Sequence, residues 1–146
     1  ESFVNVSFLM GAAYVYDARS VVTEDLDLDG RPDLIVTSVD WIKQTRGLHV
    51  YQNLWPVKNN WVGARLPEGK GYSPFGAEVT VVSKSGNQIL PIVTGDSHLA
   101  QHSTQKHFGL GDDKSVNYIE VRWPDGRTTR VKKPSVNQYH TLRPDK

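Results

Sequence analysis

The sequence predicts an all-β chain: a short antiparallel sheet followed by a small β-sandwich or barrel. Three observations carry that reading. No window of about a dozen residues keeps apolar positions at helical spacing without meeting Gly, Pro or an Asn/Asp cluster. Short runs rich in β-branched and aromatic residues recur instead, with period-two alternation clearest in AEVTVVSK (77–84) and YIEVRW (118–123). Turn chemistry suited to hairpins joins neighbouring runs, SGNQ at 85–88 and PDGR at 124–127.

Taken in order, the first strand is expected at Phe3–Phe8, where apolar residues alternate with Asn5 and Ser7. Arg19–Glu24 leads into an acidic loop and Asp33–Ser38 leaves it, with Leu48–Asn53 as the fourth run. A Pro- and Asn-containing connector, NLWPVKNN (53–60), comes next. Beyond it strands are expected at Trp61–Leu66, Ala77–Lys84, Gln88–Thr94, Tyr118–Trp123, Arg127–Lys132 and Gln138–Leu142, arranged as an antiparallel sandwich or barrel. The Gly, Ser and Asp content of 94–111 marks it as loop.

Charge divides the chain near the connector. Residues 1–59 carry five Lys/Arg against eight Asp/Glu, a formal −3, whereas residues 60–146 carry twelve against eight, a formal +4. The boundary is placed around Lys58 to Asn60, giving units at 1–59 and 60–146. No segment repeats within the chain.

Composition narrows the function classes. With 38% hydrophobic and 23% charged residues in a 146-residue chain, there is material for a core without staples. The absence of Cys excludes disulfides, thiolate metal sites and cysteine nucleophiles. No apolar run approaches the ~20 residues of a membrane span, and no basic segment precedes the short apolar patch Phe8–Ala13. The chain begins at Glu1 without Met and reads as a piece of something longer. Near-neutral net charge and the lack of an RNP-like aromatic motif speak against nucleic acid. Asp96, Ser97 and His98 are adjacent rather than brought from separate elements, no GxSxG elbow occurs, and Glu68, Glu78 and Glu120 show no catalytic spacing, so the chain is expected not to be an enzyme.

The most specific motif is DLDLDGRPDL, with Asp25, Asp27, Asp29, Gly30 and Asp33 in the pattern DxDxDGxxD. Alternate carboxylates on a tightly wound loop converge, and Gly30 permits the turn that lets the Arg31 carbonyl join them. Such an oxygen shell suits Ca²⁺, which accepts six to eight ligands, better than Mg²⁺, which dehydrates reluctantly. An EF-hand would need Glu at the twelfth loop position, where Val36 stands, and β runs rather than helices flank the loop.

A short β run, this loop and the DLIVTS run after it together resemble an FG-GAP or VCBS repeat, the calcium-carrying blade unit of β-propellers, with FVNVSFLMGA and GLHVYQN similar to its edges. The resemblance implies calcium held by Asp25, Asp27, Asp29 and Asp33, with the Arg31 carbonyl. From residue 60 onward, NWVGARL, GAEVTVVSKSGNQ, HFGLG (107–111) and VRWPDGR (121–127) resemble the ASPIC/UnbV domain of cartilage-acidic-protein-like proteins. Such domains carry Tyr and Ser before the Gln of the middle loop, where this chain has His98 and Ala100. The resemblance implies an extracellular or cell-surface adhesion, recognition or assembly module, with an accessory or carbohydrate-binding domain of a secreted enzyme as the alternative.

Other constellations read more plainly. His98, His102 and His107 have zinc-like spacing only on a helix, and are expected as loop histidines. Arg122, Arg127, Arg130, Lys132 and Lys133 read as the solvated face of a hairpin. Trp41 and Tyr72, in loops, could offer flat faces to glycans, and with His98 and His102 form the ligand-binding candidates. Asn5-Val6-Ser7 has the form of a glycosylation sequon. One blade leaves sheet edges and an apolar face unsatisfied. They are expected to be covered by the second unit through Trp55 and Trp61, or by other protein chains through self-association or upstream propeller blades.

Overall fold

A computed structural model describes residues 3–13, 16–56 and 59–145. Lys58, one limit of the expected unit boundary, lies outside the described residues. Ten strands form three sheets, and no helix occurs among the described residues. Strands β1 (Asp17–Glu24), β2 (Asp33–Asp40) and β3 (Thr45–Tyr51) make an antiparallel meander. Strands β4 (Asn60–Arg65), β7 (Gln105–Gly111) and β10 (Tyr139–Thr141) form a second sheet with β4 in the middle. Strands β5 (Glu78–Ser83), β6 (Gly86–Pro91), β8 (Val116–Arg122) and β9 (Thr128–Lys132) form the third, in the order β6-β5-β8-β9.

The second and third sheets close over one core. Val62, Ala64 and Leu66 from β4 and its exit, with Phe108 and Leu110 from β7, meet Val79 and Val81 of β5 and Ile119 and Val121 of β8; Trp123 and Leu142 complete the cluster. This is a β-sandwich with no closed barrel. The hairpins expected at SGNQ and PDGR form, joining β5 to β6 and β8 to β9.

Three expectations are corrected. Phe3–Phe8 is not a strand: Asn5 Oδ1 accepts the Ser7 amide, and Met10 N and Ala12 N donate to Val6 O and Ser7 O, winding 7–11 into a turn. A short polar side chain offers the backbone this local alternative wherever no neighbouring strand competes. The glycine-rich stretch near HFGLG is strand β7 rather than loop or turn, because Phe108 and Leu110 point alternately into the core while Gly109 lies on the other face. The second half is not wholly antiparallel, since β10 joins β4 in parallel with Tyr139 opposite Gly63.

Strand β4 sets the sandwich against the acidic loop. Its residues 61–64 are buried on both faces. One face carries Val62 and Ala64 to the core, and the other carries Trp61 and Gly63 toward the loop between β1 and β2.

Candidate metal centre

Asp25, Asp27 and Asp29 each offer a carboxylate oxygen, all within 4.8 Å of one another. Oxygens sharing a cation at calcium's 2.3–2.6 Å lie no more than about 5.2 Å apart, so this donor set fits a hard divalent ion. A carboxylate trio on a short loop is otherwise a concentration of like charge, one member of which, Asp25, is only 3% exposed.

The chain winds the loop tightly enough to make this possible. Leu28 and Gly30 both adopt left-handed backbone, at φ 63° and 88°. Asp25 Oδ1 accepts the Asp29 amide at 3.0 Å and its Oδ2 accepts the Gly30 amide at 2.9 Å. Asp27 Oδ2 takes a hydrogen bond from Gln52 Nε2 at 2.8 Å, just past the end of β3. Asp29 accepts the Arg31 amide at 2.9 Å, and the Arg31 guanidinium pairs with its second oxygen. The Arg31 Nε donates to Asn53 O at 2.7 Å, fastening the loop to the strand exit.

Asp33, the fourth expected ligand, lies outside that group of three. At 2% exposure, its oxygens accept the amides of Leu26 (3.2 Å) and Asn53 (2.7 Å), so it straps the loop's two ends and the exit of β3 together.

The second sheet reaches into the loop. Tyr139 Oη donates to Asp25 Oδ2 at 2.8 Å, across 114 residues of sequence. Burial, then the hydrogen bond to Asp25, pushes the Tyr139 hydroxyl well above the ordinary phenol range, so it stays a donor. Trp61 stacks on His107 (centroids 5.1 Å apart) and tilts against Tyr139 (4.8 Å). Gly63, between His107 and Tyr139 in the sheet register, has no side chain and lets the Tyr139 ring lie where a Cβ would project. A Cβ on Gly30 would run into the Trp61 indole, so loop and indole are in close contact. Burial lowers the His107 pKa, opposed by the charge of Asp25.

Along β1 the contact continues. Ser97 Oγ donates to Val21 O at 2.8 Å and accepts the Val21 amide at 3.3 Å, Ser20 Oγ donates to His98 O, and Glu24 receives Ser103 Oγ and Gln105 Nε2. A small cavity of about 240 Å³ lies at this junction, with Glu24, Asp25, His102, Lys106, His107 and Tyr139 on its walls. Tyr139 and the serine clasp are not apparent from sequence. Gly63 is the available signal, because glycine inside a strand marks a close approach.

The remaining candidates disperse. His102 is tied to Asp96, with its amide at 2.9 Å and Nδ1 at 3.1 Å from the carboxylate. Burial pushes the Asp96 carboxyl up, but the His102 bonds and charge, with Lys106, bring it below the usual range. Among the described residues the three histidines form no metal-holding group. Tyr72 packs edge-on against Trp123 at 5.4 Å, at the margin of the core. Trp41 is exposed at the β2–β3 turn, where it and His98 line a second cavity. Of the junction tryptophans, Trp61 is buried there and Trp55 is exposed. Arg122, Arg127 and Arg130 pair with Glu78, Asp125 and Glu120, as a solvated hairpin face does. No helix among the described residues is long and apolar enough to cross a membrane.

Compared with protein-family models, residues 68–146 match the family described as ASPIC and UnbV, a span from just after β4 through β10. No curated protein matches the chain.

Proposed function

The chain belongs to the ASPIC and UnbV family, and from that footing we propose that it is a calcium-stabilised, non-catalytic module of extracellular type, serving adhesion, recognition or assembly. The observation that carries the proposal is the three-aspartate group seated against the second sheet, with Tyr139 on Asp25 and Trp61 against Gly30. Calcium is the ion proposed because the donors are hard carboxylate oxygens on a loop, a flexible shell that Ca²⁺ accepts and Mg²⁺ does not favour. Asp25, Asp27 and Asp29 would hold it, with the Arg31 carbonyl and Asp33 as the further ligands the FG-GAP resemblance supplies. When bound, the ion supplies charge neutralisation. The chain's own part is to orient Asp25 through Tyr139 and to keep solvent off it.

The division into an FG-GAP-type unit at 1–59 and an ASPIC/UnbV-type unit at 60–146 belongs to the same proposal. It is supported by the three-stranded meander carrying the acidic loop at its first turn. Partnering with other protein chains, through self-association or further blades, is supported by apolar side chains exposed on both faces of that meander, Val21 and Leu34 on one and Leu48 and Val50 on the other.

Calorimetric titration of the metal-stripped chain tests the ion. One Ca²⁺ should bind, Mg²⁺ should bind at least about tenfold more weakly, and Asp27→Asn with Asp29→Asn should abolish the Ca²⁺ heat while the fold persists by circular dichroism. No Ca²⁺ binding at millimolar concentration, or binding indifferent to the two substitutions, would overturn the proposal.

A further inference from the structure

The cavity at the far end of the first sheet, about 410 Å³ and away from the acidic loop, has the size of a small-ligand site. Its floor comes from the sheet register. Asp17, Val39 and Arg46 lie side by side on β1, β2 and β3. The turn 41–44 brings Trp41 over this row: the indole Nε1 donates to Asp17 Oδ2 at 3.0 Å, and the Arg19 guanidinium, itself paired with Asp17, stands 5.4 Å from the ring centroid. Thus Trp41 is fixed by two contacts and still 58% exposed. Ordinary packing does not explain a pinned tryptophan whose ring stays in water.

The surroundings are held at some cost. Gln44 adopts φ 53° to close the turn, donating its Nε2 to Trp41 O at 2.6 Å. Asp40 Oδ1 accepts the amides of Ile42 and Lys43, both at 3.0 Å. On the opposite lip Leu99 adopts φ 52° while 92% exposed, and the adjoining His98 carbonyl is anchored by Ser20. Left-handed backbone is strained for a non-glycine residue, and such strain collects where a surface is shaped for use. Leu99 lines the cavity, and Gln44 closes the turn that carries Trp41 into it.

The polar chemistry has a sign. Arg19 is neutralised by Asp17, but Arg46 has no carboxylate partner among the described residues. A free guanidinium fork accepts a carboxylate through two parallel hydrogen bonds. One free guanidinium is too little for a polyphosphate backbone, which is met by many cations. The open indole face suits the apolar side of a sugar ring, and the Thr37 hydroxyl and His98 ring suit its hydroxyl groups.

We propose that this cavity binds a uronic-acid unit of an acidic saccharide, with Trp41 stacked on the pyranose ring and Arg46 paired with its carboxylate. The site is independent of calcium and is additional to the proposed metal-stabilised role. The test titrates the full chain with tri-galacturonic acid, its methyl ester and a glutamate-rich peptide, with tryptophan fluorescence and calorimetric heat as readouts. The free acid should bind, with the ester and the peptide each weaker by about tenfold or more. Trp41→Ala should remove binding. Arg46→Gln should reduce affinity for the acid to that for the ester, without changing the latter. Both side chains are exposed, so the thermal midpoint of each variant should match the parent and certify the fold. Absence of acid binding, equal binding of acid and ester, or binding unchanged in Trp41→Ala would overturn the proposal. Peptide binding as tight as the acid would assign the cavity to an acidic protein segment instead.

Discussion

Tyr139 is the residue through which the family-matched part of the chain touches the acidic loop. Removing its hydroxyl leaves Asp25 buried with one donor fewer, a loss of about 1.5–3 kcal/mol for a hydrogen bond to a charged group. Tyr139→Phe should therefore lower the urea midpoint, and should weaken Ca²⁺ binding by about 10–100-fold, as loss of a residue that orients a metal ligand does. Unchanged calcium affinity would show that Asp25 holds its position without help. His107, beneath the Trp61 ring, gives a pH dependence. Its folded pKa lies below that of the unfolded chain because burial disfavours the imidazolium; Asp25 opposes this, while Glu24, Lys106, His102 and Tyr139 share the adjoining cavity. The unfolded state thus binds more protons as pH falls below about 6.5, so stability declines from there and the decline stops once pH is below the folded pKa. His107→Phe, which keeps a ring against Trp61, should flatten that part of the stability profile measured by urea denaturation between about pH 7.5 and 5.5. An identical profile in both proteins would assign the dependence elsewhere. The aspartates are legible in sequence because alternate acids and a glycine lie within nine residues, Asp25 to Asp33. Tyr139 is not, since nothing local distinguishes a tyrosine whose partner is 114 residues away.

Among the elements, the acidic loop and strand β4 form the contact that joins the first sheet to the sandwich. Gly30 and Gly126 share a backbone φ of 88°, yet a Cβ at Gly30 meets Trp61 and one at Gly126 meets nothing within 4 Å. Both alanine substitutions should bear the left-handed cost of about 1–2 kcal/mol, and Gly30→Ala should lose measurably more in chemical denaturation. The excess measures the indole contact; equal losses would show that the loop does not rest on Trp61. Most strand positions follow from alternation and turn chemistry. Strand β7 is hidden because Gly109, Gly111 and the Ser and Thr before it resemble a loop, whereas two core side chains, Phe108 and Leu110, are enough to make it a strand. The first expected strand fails for the converse reason. Phe3–Phe8 has the pattern but no neighbour to pair with, and all its large apolar side chains remain exposed.

At the scale of the whole molecule, side-chain contacts that run from Ser97 against β1 through Glu24 to Tyr139 and Trp61 join the first sheet to the second, and the apolar core joins the second to the third. All-β class is legible throughout the sequence. The contact between sheets is not, because the clasp at 97–105 falls in a stretch whose composition says only loop. If the cation at the acidic loop strengthens this joint, stability becomes a property of the assembled molecule. A ligand bound only by the native state, at about 100 times its Kd, stabilises by about 2.7 kcal/mol. That shift is large enough to read as several degrees in a chain of this size. The most direct measurement is thermal unfolding tracked at once by far-ultraviolet circular dichroism and tryptophan fluorescence, in millimolar Ca²⁺ and in EDTA. One coincident transition is predicted by both probes, raised by calcium in the parent chain and unmoved by it in Asp27→Ala with Asp29→Ala. A sandwich transition that stays at the same temperature in calcium and in EDTA, whether or not the first sheet melts separately, would contradict a joint strengthened by the cation.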